Sequence, residues 1–305
     1  MRMTHHRFTV VEMTSGDDVD TNLGAADEAL ARAAAAGAVL AVLPENFAFL
    51  GADEQAKMAV AEADGEGPLQ QWLAAAALRH RLWLVGGTIP LRASAPGKVR
   101  AACLVHDPSG RRRARYDKLH LFDVSLGGGE GYRESRTFEA GEALAWVDTP
   151  CGRLGLAVCY DVRFPELFRA LADAGCELVA LPSAFTATTG AAHWETLVRA
   201  RAIENGVWML APGQVGEHPG GRRTWGHSLI VDPWGRVSAE GDGPGPVSAD
   251  WQADAVATAR ERIPALAHRR PEIYQGAVDA GCEAHDSVPA HQPTARWPDG
   301  SGGER

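Results

Sequence analysis

The stretch Gly155-Leu156-Ala157-Val158-Cys159-Tyr160-Asp161-Val162-Arg163-Phe164-Pro165-Glu166 reads as a buried strand that delivers a thiol to a sharp turn. A helix opens just beyond it, since proline fits the first helical position. Two earlier segments end in the same way. Val39-Leu40-Ala41-Val42-Leu43 runs into Pro44-Glu45-Asn46, and a polar strand ends in Tyr116-Asp117-Lys118-Leu119-His120. A thiol, a carboxylate and an amine therefore stand at three strand exits, and one edge of a sheet is where α/β proteins gather their site residues.

Outward from these exits, short apolar runs alternate with longer amphipathic ones. Residues 21–36 read as an Ala-rich helix capped by Asp20 or Thr21 and stopped by Gly37. Residues 68–80 read as a second helix, with Leu69, Trp72, Leu73, Ala76 and Leu78 on one side. Further helices are expected over 165–174 and 191–204, and strands over 39–43, 82–86, 178–181 and 207–210. Hairpins are expected at Asp107-Pro108-Ser109-Gly110, Pro150-Cys151-Gly152 and Pro233-Trp234-Gly235. Alternating strands and helices imply helices layered over sheets, and the hairpins exclude a purely parallel arrangement. Two mixed sheets packed together and flanked by helices satisfy both: an α/β fold. One domain over residues 1–282 is expected, followed from 283 by a disordered tail rich in Pro, Gly and polar residues.

Composition narrows the function classes. With 30 basic and 39 acidic residues the formal charge is −9, and basic residues are scattered, which argues against nucleic-acid binding. No apolar stretch approaches the ~20 residues of a membrane helix. The N-terminus carries no apolar signal segment, so a cytoplasmic protein without a membrane association is expected. The five cysteines, at 103, 151, 159, 176 and 282, show no paired spacing and read as free thiols. Gly127-Gly128-Gly129-Glu130-Gly131 lacks the Lys-Ser/Thr of a phosphate loop, and His5, His6 and His193 lack metal-site spacing, so neither a cofactor nor a metal is expected.

No histidine but His120 lies near the three exits, so a carboxylate is the alternative manager of the thiol proton. A lysine beside the reaction centre would stabilise an oxyanion. Glu45, Lys118 and Cys159 then suit attack on an amide or nitrile carbon through a thioester.

The segments 43–46, 116–120 and 158–166 closely resemble the three signatures of the nitrilase superfamily of carbon–nitrogen hydrolases. The resemblance runs from about residue 8 to 274 and takes in Pro182-Ser183-Ala184-Phe185, His193-Trp194-Glu195 and Gly226-His227-Ser228. It implies a four-layer α-β-β-α sandwich, assembled as a homodimer or higher homo-oligomer. It also implies Glu45 as general base, Lys118 as oxyanion stabiliser and Cys159 as nucleophile. The backbone N–H of Tyr160 would complete the oxyanion hole, and Glu134 would orient Lys118 and the substrate amide.

Nitrile-hydrolysing members typically follow the cysteine with Trp-Glu, whereas Tyr160-Asp161 here resembles the amidase branch. Within it, 160–167 is similar to both ω-amidases and deaminated-glutathione amidases, and 182–185 with 214–218 is more similar to the second group. The expected reaction is hydrolysis of a small carboxylate-bearing amide, deaminated glutathione first, to acid plus ammonia. An ω-amidase acting on α-ketoglutaramate, an N-carbamoyl-amino-acid amidohydrolase and a non-catalytic interaction protein on the same fold are the alternatives. Phe185, Thr186 and Arg199 are assigned to substrate binding, a carboxylate calling for an arginine. Arg201 is a second candidate, and Arg163 is expected to brace the Cys159 turn with Asp161 or Glu166.

Overall fold

The computed structural model describes residues 6–127 and 130–273. The chain divides into a unit of Met1–Leu266 and a second unit, Ala267–Arg305. In the second, residues 271–273 form a helical turn and Arg270 pairs with Glu272. The tail expected from 283, and Cys282, lie outside the described residues.

Along the first unit the strands and helices begin with β1 (Arg7–Glu12), α1 (Val19–Ala35), β2 (Ala38–Val42), α2 (Pro68–His80), β3 (Trp83–Val85) and β4 (Ile89–Arg92). Next come β5 (Val99–His106), β6 (Arg112–Asp117), β7 (Asp123–Gly127), β8 (Glu130–Arg133), β9 (Trp146–Thr149), β10 (Gly152–Leu156) and α3 (Pro165–Asp173). The remainder is β11 (Leu178–Ala180), α4 (Ala187–Asn205), β12 (Trp208–Ala211), β13 (Val215–Glu217), β14 (Arg223–Trp225), β15 (Leu229–Val231), β16 (Val237–Glu240), β17 (Gly245–Asp250) and α5 (Ala255–Arg262).

One sheet runs β17-β1-β2-β3-β5-β4, with β6 on the other side of β5. The second runs β16-β15-β12-β11-β10-β9. Both are mixed: β1, β2 and β3 are parallel, as are β10, β11 and β12, and antiparallel strands flank each set. The parallel strands are buried on both faces, which is why they read as unbroken apolar runs.

The two-residue period of a strand sorts their side chains. Phe8, Val10, Leu40 and Val42 join the core between the sheets, where Phe8 meets Trp208 of β12 edge to face at 5.6 Å. The alternate residues, Val11, Ala41 and Leu43, pack outward with Ala26 and Leu30 of α1 and Leu69 and Leu73 of α2. On the far side Phe168 and Leu171 of α3 and Trp194 and Val198 of α4 join the core beside the second sheet. The layers are α-β-β-α.

Local chemistry shifted two expected boundaries and one expected buried face. Asp18, rather than Asp20 or Thr21, caps α1, its carboxylate accepting from the Thr21 N–H at 2.7 Å. Leu78 is exposed, because α2 buries only Leu69, Gln70, Leu73, Ala76 and Ala77. Helix α4 starts four residues earlier than its apolar period shows, capped by Thr186, whose hydroxyl accepts from Thr189 N–H at 3.2 Å. Gly190 in its first turn lies against Trp225, where a Cβ would meet the side chain at 2.2 Å. The Gly-rich stretch is carried by the antiparallel pair β7–β8, with Gly128 and Gly129 outside the described residues.

Candidate active site

Strands β2 and β6 end on the same edge of one sheet, and β10 ends beside them in the other. Their ladders continue past the strand ends and fix the residues that follow. Leu43 N–H donates to Val85 O at 2.9 Å, Lys118 N–H to Ala101 O at 3.1 Å and Cys159 N–H to Pro182 O at 2.9 Å. Glu45, Lys118 and Cys159 are thereby brought into one cleft, each less than a tenth exposed.

The strand reading of Cys159 requires a correction. β10 stops at Leu156, and Cys159 opens a short 3-10 turn over Cys159–Arg163 with φ +47°. A non-glycine residue there costs on the order of 1–3 kcal/mol and needs surroundings that over-determine it. Asp161 supplies them. Fully buried, its Oδ2 accepts from Val158 N–H at 2.7 Å and from the Tyr116 hydroxyl at 2.7 Å, and its Oδ1 from His120 N–H at 3.1 Å. The brace therefore joins two signature segments, and Arg163 takes no part in it. Arg163 instead lies over the Tyr160 and Phe185 rings, 3.3 Å from His193.

Lys118 Nζ donates to Glu45 Oε1 at 2.8 Å and to both Glu134 oxygens at 2.9 Å. Burial works against its charge, but the two carboxylates outweigh it and hold the ammonium well above the ordinary lysine range. Burial raises the Glu134 carboxyl, Lys118 opposes this, and the nearby Glu45 and Glu54 add to the rise. The Cys159 thiol is also pushed well above its ordinary range, first by burial and then by the charge of Glu45. Lys118 and the Ala184 N–H pull the other way. Burial and the Glu45 charge together favour the protonated thiol at rest.

The backbone of Glu45 is held from behind. Gln214, fully buried, donates from Nε2 to Glu45 O at 3.0 Å and to Ser15 Oγ at 2.8 Å, and accepts from Ser15 N–H at 3.0 Å.

Tyr160, Phe185 and Thr186 line the same cleft, whose space including its open mouth is about 460 Å³. Arg199 does not. Its guanidinium donates to Gly235 O at 2.9 Å and pairs with Glu195 at 3.0 Å on the exposed side of α4. Arg201 is buried and ties α4 to the Cys159 turn through Val162 O at 2.8 Å. The arginine in the cleft is Arg222, and Glu54 and Thr189 join it there. Glu54 falls in a 3-10 segment, Glu54–Val60, and Arg222 in a Gly/Pro-rich loop, where no sequence period marks a facing direction. Among the described residues no cluster of His, Cys, Asp and Glu could hold a metal ion, and no helix is long and apolar enough to cross a membrane.

The carbon–nitrogen hydrolase family model matches residues 7–260. A deaminated glutathione amidase from Yersinia enterocolitica is 41% identical over 273 residues, 88% of this chain and 94% of that protein. The human omega-amidase NIT2 is 35% identical over 274 residues, 89% of this chain and 98% of that protein. A solved variant of the amidase from Nesterenkonia sp. AN1, showing Michael addition of acrylamide at the active site cysteine, superposes with a TM-score of 0.74 at 30% identity. It covers 89% of this chain and 99% of that one. The chain belongs to the carbon–nitrogen hydrolases of the nitrilase superfamily and is an amidase acting on small non-peptide amides.

Proposed function

We propose that the protein hydrolyses deaminated glutathione, with Cys159 as nucleophile, Glu45 as general base and Lys118 with the Tyr160 N–H as the oxyanion hole. The observation that carries the mechanism is the meeting of Cys159 and Glu45 in one cleft, where the Glu45 carboxylate is held by Lys118 at 2.8 Å and its charge raises the thiol. The likeness to deaminated glutathione amidase along most of the chain supports the substrate.

Glu45 takes the thiol proton as sulfur attacks the amide carbonyl, and the developing oxyanion is held by Lys118 Nζ and Tyr160 N–H. Collapse breaks the C–N bond, and the proton on Glu45 passes to the leaving amine. Water then enters, loses a proton to Glu45 and attacks the thioester, releasing the acid and restoring the thiol. Glu134, bidentate on Lys118 and accepting from Phe122 N–H at 2.7 Å, holds the ammonium in place throughout. In deaminated glutathione the scissile amide joins the 2-oxoglutaryl group to cysteinylglycine. The amine released is thus cysteinylglycine and not the ammonia expected from sequence, which belongs to α-ketoglutaramate.

The test is a comparison of kcat/KM for deaminated glutathione, α-ketoglutaramate, an N-carbamoyl amino acid and a neutral aliphatic amide. Preference for the first is expected. Preference for α-ketoglutaramate would reassign the protein as an ω-amidase, carbon dioxide released with ammonia would indicate the carbamoyl reaction, and silence on all four would favour the non-catalytic alternative.

A further inference from the structure

Two cations line the cleft among the described residues, and they differ in what they have left to give. Lys118 is taken up by Glu45 and Glu134, all within 2.9 Å. Arg222 is not. Of its five N–H donors, NH1 reaches Glu54 Oε1 at 3.0 Å and NH2 reaches Ala184 O at 3.2 Å, while its buried Nε has no partner. Its guanidinium lies 5.4 Å from the Tyr132 ring centroid, which orients the planar fork.

Arg222 faces the same cleft as the nucleophile. Ala184, whose carbonyl accepts from Arg222 at 3.2 Å, lines that cleft beside Cys159. A substrate whose amide carbon sits at Cys159 would carry a carboxylate a few bonds away within the reach of this fork. Glu54 is shared: it also pairs with Lys57, whose side chain is 3% exposed beneath it. It can keep Lys57 as its partner while Arg222 turns to a second anion. Arg163, Arg199 and Arg201 do not line the cleft.

We propose that Arg222 is the specificity-determining residue that pairs with the substrate carboxylate, and that Glu54 is the counter-ion that holds its guanidinium ready. This rests on the carboxylate-bearing substrate proposed above. Bidentate pairing of arginine with a carboxylate gives direction as well as attraction, and it selects against amides that leave the fork facing an apolar chain.

The experiment compares kcat/KM for the 2-oxoglutaryl amide the wild type turns over best with kcat/KM for the pentanoyl amide of the same amine. For Arg222→Met the ratio is expected to fall about 30-fold or more, mainly through KM of the carboxylated amide, with Arg222→Lys intermediate. Glu54→Gln should move the other way, lowering that KM several-fold, because Arg222 then lacks its resident anion. A wild type that prefers carboxylated amides while Arg222→Met loses both activities equally would overturn the assignment alone and leave Arg222 structural. A wild type indifferent to the carboxylate would overturn the substrate reading with it. Should Arg222→Met fail to fold, Glu54→Gln decides, and an unchanged or raised KM sinks the assignment.

Discussion

At the scale of residues, the cleft holds one ammonium between two carboxylates, with a thiol beside them that burial and Glu45 together keep protonated. Glu45 therefore has opposed effects on Cys159. Its charge raises the thiol, yet in the proposed mechanism it is also the group that removes the proton. Glu45→Gln should accordingly separate them: the alkylation midpoint of Cys159 moves to lower pH while turnover falls about 100-fold or more. Iodoacetamide kinetics across pH beside steady-state turnover would check this, and a midpoint that moves upward would contradict it. Glu45, Lys118 and Cys159 were legible as a set because each follows a strand within three residues, and strand exits can be read from the pattern of the run that precedes them. Arg199 and Arg222 show the limit. Helical period places Arg199 on a face without saying which face meets the cleft, and the loop around Arg222 has no period at all.

Between residues and fold stands the turn after β10. It holds Cys159 at positive φ, and Asp161 ties it to the segment after β6 through Tyr116 and His120. Asp161→Ala would leave the Val158 and His120 N–H groups and the Tyr116 hydroxyl without their acceptor in a buried site. The expected loss is about 3 kcal/mol or more of unfolding free energy, with a larger loss of activity as Cys159 shifts. Urea unfolding measures it, and a cost below about 1 kcal/mol would show the turn to be held by other contacts. The turn itself is legible in the sequence, but its brace is not: sequence proximity points to Arg163, whereas Asp161 is tied to the distant Tyr116. In the same way α4 was read from its apolar period, which misses the first turn, Thr186 to Gly190, where packing on Trp225 decides.

For the whole molecule, the layering was legible and the strand order was not. Alternating strand and helix patterns require helices over sheets, whereas the pairing of β1 with β17, from opposite ends of the unit, depends on closure across the chain. The same long-range assembly brings Glu54, already paired locally with Lys57, to Arg222 and Lys118. Burial opposes the Glu54 charge, but these cations lower its carboxyl to about 2. A carboxylate depressed in the folded state stabilises above its unfolded pKa, about 4.5, and that contribution is lost as pH falls toward about 2. Glu54→Gln should thus flatten the acid side of the stability–pH curve between those values. Thermal melts of both proteins from pH 6 to 2 would show it, and parallel curves would speak against the linkage.

The central claim, amide hydrolysis through the Cys159 sulfur, is tested most directly by the turnover of deaminated glutathione by the wild type and Cys159→Ala side by side, with melting temperatures as a control. The account predicts cysteinylglycine release by the wild type and none above background by an equally stable Cys159→Ala. Clear residual turnover by that variant, at about a hundredth of the wild-type rate or more, would contradict it.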